Sequence, residues 1–185
     1  MAALRKGPCI DVNDNAIEFA SGTPVPRNSS TSPLTCSPSP IDYAALQFPA
    51  ATTGSACATA GTGTIIYGRI YIAGVTGTGS PANVIAQVGV GPTGSDPATA
   101  AGWAWAMATF NDLCGACGND SEFQAPMPAV HSDGSFDYAY RFSYLSGGFV
   151  YADLAPNGTT DGYSSANAGK LTVSSDTVYC DPFEP

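Results

Sequence analysis

Residues able to do chemistry are few in this sequence and far apart. The one histidine, His131, sits in PMPAVHSDGS beside Asp133, without the glycine-flanked turn that presents a nucleophile to a general base. The three glutamates, Glu18, Glu122 and Glu184, are widely separated, and no spacing marks a carboxylate pair for glycoside cleavage. We therefore expect no catalytic residue and no enzyme activity. Cys114-Gly-Ala-Cys117 has the CxxC spacing of redox and zinc sites. A redox pair needs a helix opening at its first cysteine, and zinc wants four ligands. The GNDS that follows is loop-like, with neither a second CxxC nor a histidine pair, so a structural disulfide is expected. Asp11, Asn13 and Asp14 in DVNDN could offer oxygens to calcium, although a solvated Asn/Asp turn has the same composition. Asp153, Asn157 and Asp161 are a second such cluster. No other cofactor is suggested.

The aromatic residues carry more information. Trp103 and Trp105 share one face of a strand, and with Phe149, Tyr151 and Tyr163 they are candidates for stacking on sugar rings. Ala104, Ala106 and Ala108, on the opposite face, look too small to fill a sandwich interior. The tryptophan face is thus expected inward. The alanine face would then be a flat, uncharged surface for another subunit. Asn28, Asn119 and Asn157 each begin an N-x-Ser/Thr sequon in an expected loop and are candidate glycosylation sites.

The elements that must position these residues are short. Ser21 to Pro40 holds five prolines among small polar residues, a composition that continues neither a helix nor an interior strand. Ahead of it, AIEFA (residues 16–20) could form one strand. From Ile41 onward, apolar runs alternate with Gly, Pro, Asn and Asp. Ser135 to Tyr144 alternates so that Phe136, Tyr138, Tyr140, Phe142 and Tyr144 share a face. In Thr64 to Ile72, isoleucines 66, 70 and 72 oppose Tyr67, Arg69 and Tyr71. Ile41 to Phe48, Asn83 to Val90, Trp103 to Phe110, Gly148 to Leu154 and Gly169 to Val173 complete the series. We expect an all-β, Ig-like antiparallel β-sandwich of about seven strands over 41–175, an N-terminal extension and Pro/Ser-rich linker over 1–40, and a C-terminal tail over 176–185.

Charged residues are only 11% of the chain, with 15 acidic against 6 scattered basic residues and a net charge of −9. Nucleic-acid binding needs a basic footprint, so it is not expected. No apolar run approaches the length of a membrane span, and the N-terminus has no signal-like apolar core, so membrane insertion is not expected either. Six cysteines, Cys9, Cys36, Cys57, Cys114, Cys117 and Cys180, suit an oxidising, extracellular or cell-surface location. Six cysteines allow many pairings; ours joins Cys114 with Cys117, Cys36 with Cys57, and Cys9 with Cys180.

The blocks IDYAALQFPA, YGRIYIAGVT, VIAQVGVGPTGSDP, WAWAMATFND, GSFDYAYRFSY and YADLAPNGTTDGYSSANAGKLTV resemble an Ig-like module of secreted multidomain bacterial proteins of the myxobacterial type, over Ile41 to Val173. The resemblance implies fold and location rather than activity. CGACGNDSEF departs from it by its cysteine pair, and GGFVYAD by carrying Phe149 and Tyr151 in place of a tryptophan. GSFDYAYRF with YADLAPNG is also similar to the central hairpin of starch- and glycogen-binding sandwich domains. The leading expectation is a non-catalytic structural or adhesive surface module. Its partners would be other copies of itself or other surface proteins, assembled into filaments or arrays by strand addition. The alternative is carbohydrate binding, with polysaccharide as partner.

Overall fold

The computed structural model describes residues 1–5, 19–24, 41–57, 61–145, 147–154 and 162–175. Near the N-terminus β1 (Ala2–Arg5) pairs antiparallel with β2 (Phe19–Gly22). Of the strand expected at 16–20, Phe19 and Ala20 belong to β2, whose bonds go to β1. Residues 16–18 lie outside the described residues.

Ten strands build two sheets. The larger contains β4 (Ala51–Ser55), β12 (Gly169–Ser174), β10 (Gly134–Tyr144), β6 (Val84–Pro92) and β7 (Ala104–Met107) in that order, with β11 (Val150–Ala152) on β10. The smaller runs β3 (Tyr43–Phe48), β5 (Ile65–Tyr71), β9 (Ser121–Pro126), β8 (Thr109–Asn111). One core fills the space between them. Ile66 and Ile70 of β5 meet Tyr138, Tyr140 and Phe142 of β10, all completely buried. The Tyr140 hydroxyl donates across the gap to the carbonyls of Ile66 (2.8 Å) and Phe123 (3.2 Å), so this buried ring brings its polar atom a partner. The fold is all-β, as expected, with a short 3₁₀ turn at Ser165–Asn167.

Three details differ from the sequence reading. The strand count exceeds seven, because β4 and β9, whose sequences ATTGS and SEFQAP lack a clean apolar alternation, are held by neighbours rather than by pattern. The pairing of β12 with β4 is parallel, whereas the others are antiparallel. The segment Trp103 to Phe110 is also not one strand. It breaks at Ala108, whose amide bonds to Ala86, so that β7 belongs to the larger sheet and β8 to the smaller. The chain changes sheets in the same way between β3 and β4. Such crossings turn the corners of a sandwich.

Candidate functional site

The outer face of the larger sheet carries a third layer made of aromatic rings. Its floor comes from the outward positions of β6 and β10. Along β6, Val88 and Val90 enter the core while Gly89 and Gly91 face out. Trp105 is the register partner of Gly89, and a methyl group at Gly89 would lie 2.4 Å from its indole. A methyl group at Gly91 would meet Trp103 at the same distance. The two indoles therefore lie directly across β6, where any side chain would displace them. Their centroids are 5.5 Å apart and their planes within 19° of parallel. The Trp103 Nε1 donates to Ser95 Oγ at 2.9 Å, which fixes that ring.

Three more rings continue the layer. Tyr163 meets Trp103 edge-on at 6.0 Å, Tyr151 lies 5.8 Å from Trp105, and Phe149 lies 6.5 Å from Tyr151. All five aromatics singled out from the sequence come together here. They come from three separate parts of the chain, and each keeps part of its surface exposed. The layer covers Asp137 and Ala139 of β10, which are fully buried although they point away from the core.

This placement corrects the expected orientation of β7. Ala106 packs on the core and Ala108 is buried in it, while the tryptophans lie outside. The physical reason is volume: Tyr138, Tyr140 and Phe142 of β10 and Phe123 of β9 already fill the interior, so only methyl-sized groups fit beside them.

One residue of the site was not singled out beforehand. The Arg141 guanidinium carbon stands 4.1 Å from the centroids of both Trp105 and Phe149, close enough for cation–π attraction to each. Its Nε donates to Gln87 Oε1 at 2.7 Å. Arg141 faces away from the core aromatics in the alternation of β10, and that alternation was the available signal.

The opposite end of the layer is acidic. Asp137 accepts from the Gly94 amide and from Lys170 Nζ, both at 2.8 Å, and Asp153 accepts from the Ser164 amide at 2.6 Å. Burial, then the charges of Asp137, Asp153 and Asp96, hold the Tyr163 hydroxyl well above the usual tyrosine range. Tyr163 remains protonated across the physiological range.

The other candidates do not join this site. Cys114 and Cys117 are disulfide-bonded, and Glu122, hydrogen-bonded by Asn111, lies beside them. A metal would need thiolates that a disulfide does not offer. Cys57 is also disulfide-bonded, and its partner, like Cys9, Cys36 and Cys180, lies outside the described residues. So do Asp11, Asn13, Asp14, Asn28, Asn157, Asp161, Glu18, Glu184 and the tail 176–185. Asn119 is exposed in the loop before β9. His131 is exposed, its Nδ1 lying 3.2 Å from the Ala56 carbonyl.

No helix among the described residues is long and apolar enough to cross a membrane. No protein-family model and no curated protein sequence matches this chain.

Proposed function

We propose that this protein is a non-catalytic, extracellular β-sandwich module that binds carbohydrate on the aromatic layer of its larger sheet. The observation that carries the reading is the convergence of Trp103, Trp105, Phe149, Tyr151 and Tyr163 on one outer face, with both indoles laid across glycines. A partly exposed, rigidly held indole offers a flat apolar surface to the C–H face of a sugar ring, and such rings give contact area at low entropic cost. A row of them suits a chain of sugars better than one small molecule, which prefers a concave pocket. The disulfides support the extracellular placement.

The test is affinity gel electrophoresis through soluble polysaccharides. The wild-type chain should be retarded by at least one of them. Trp103→Ala and Trp105→Ala should each abolish the retardation while keeping the native circular dichroism spectrum. Unchanged mobility of the wild type in every polysaccharide would reject the reading.

Self-association remains a second reading because of the edge at β4. Ala51–Ser55 has no charged residue, and its outer edge has no strand partner among the described residues. Edges of this kind pair with other chains unless they are blocked. Light scattering of the full chain would decide: a monomer at every accessible concentration removes this reading.

A further inference from the structure

We infer that the carbohydrate bound by the aromatic layer is an anionic glycan, whose carboxylate or sulfate is gripped by Arg141 while its rings lie on the indoles. This inference rests on the carbohydrate reading above and adds the charge of the ligand to it. Among the described ion pairs, Arg69 is matched with Asp120 at 2.9 Å and Lys170 with Asp137 at 2.8 Å. Arg141 has no carboxylate partner among the described residues. It nonetheless stands within the aromatic layer, between Trp105 and Phe149.

Its geometry is that of a held fork. Trp105 and Phe149 contact the guanidinium at 4.1 Å each, and Gln87 takes the Nε proton. That leaves the two terminal nitrogens, which have no hydrogen-bond partner among the described residues and are not among the buried unpaired atoms. They are therefore not wholly buried. Two parallel N–H groups on a pre-positioned plane match a carboxylate or sulfate in bidentate fashion, and little side-chain freedom is left to lose on binding. The weak hydration of guanidinium lets it sit among rings without a large desolvation cost.

The charges around the layer also give the ligand a direction. Asp96 and Asp153 lie near Tyr163 at the Trp103 end, beside the Lys170–Asp137 pair, and Arg141 lies at the Trp105 end. An anionic group is repelled from the first and attracted to the second. In a chain with net charge −9, a polyanion needs such a local cation to bind at all.

Fluorescence titration of the full chain with polygalacturonate, its methyl ester, dextran sulfate and dextran tests the inference. Methyl esterification neutralises the carboxylates of polygalacturonate and leaves its sugar backbone in place. The acid form should bind roughly tenfold or more tightly than the ester, and Arg141→Gln should bring the two affinities together. Arg141→Lys, which keeps the charge and loses the fork, should retain only part of the preference. Dextran sulfate distinguishes a sulfate ligand from a carboxylate one: preference for it over dextran, lost in Arg141→Gln, supports the sulfate form. Equal wild-type affinity for acid and ester, together with equal affinity for dextran sulfate and dextran, overturns the anionic inference and leaves sugar stacking standing. A preference that survives in Arg141→Gln overturns the role of Arg141. Absence of binding to all four overturns both this inference and the carbohydrate reading.

Discussion

At the scale of single residues, the site depends on what is missing from two positions. Gly89→Ala puts a methyl group 2.4 Å from the Trp105 ring, so the indole must leave its floor. Overpacking of this kind costs about 1–3 kcal/mol. The variant should lose that much stability in urea and show red-shifted tryptophan emission, whereas Gly115→Ala, with nothing within 4 Å, should change neither. The buried tyrosines make a second residue-scale prediction. Burial pushes the Tyr138 hydroxyl from 10.0 up to about 12, and burial also raises that of Tyr140. The unfolded chain releases these protons from about pH 10, while the folded chain keeps them. Their stabilising effect is therefore complete below pH 10 and lost as pH climbs toward 12, by about 1.4 kcal/mol per pH unit for each tyrosine. Unfolding midpoints in urea should fall over that window. A midpoint that stays level between pH 10 and 12 would contradict the burial of Tyr138.

At the scale of elements, legibility followed local pattern. Strands β5, β6, β10 and β12 have apolar residues at alternate positions and were visible in the sequence. Strands β4 and β9 were not, because neighbours rather than alternation hold them in place. The orientation of β7 was misread because the local sequence WAWAMA gives its period but not its direction. The missing information was in β6, where Gly89 and Gly91 alternate with Val88 and Val90: two glycines spaced like the two tryptophans are a floor for them. The Cys114–Cys117 loop was legible from spacing and composition. It is also tied by Arg69, which bonds to the Cys117 carbonyl and pairs with Asp120, and by Thr76, which donates to the Asn119 carbonyl. Closing so short a loop contributes about 2 kcal/mol at most. Replacing both Cys114 and Cys117 with serine should lower stability by no more than that. It should leave polysaccharide binding unchanged, since this loop joins β8 to β9 in the other sheet.

At the scale of the whole molecule, the two sheets have different tasks. The smaller sheet closes the core, and the larger one both closes it and carries the aromatic layer on its far side. From the sequence alone we expect neither nucleic-acid binding nor membrane insertion, because basic residues are scattered and no apolar run is long enough to span, and no spacing marks paired catalytic residues. The location of the proposed binding face could not be read there, because Trp105, Arg141 and Phe149 meet only once β7, β6, β10 and β11 lie side by side. The sequence contains two tryptophans, Trp103 and Trp105, and both are in the layer, so tryptophan emission, excited selectively over tyrosine, reports on the proposed site alone. Titration of the full chain with a panel of neutral and acidic soluble polysaccharides should give, for at least one, a saturable blue shift or quenching as sugar rings cover the indoles. Emission that stays unchanged across the whole panel would contradict carbohydrate binding at this face.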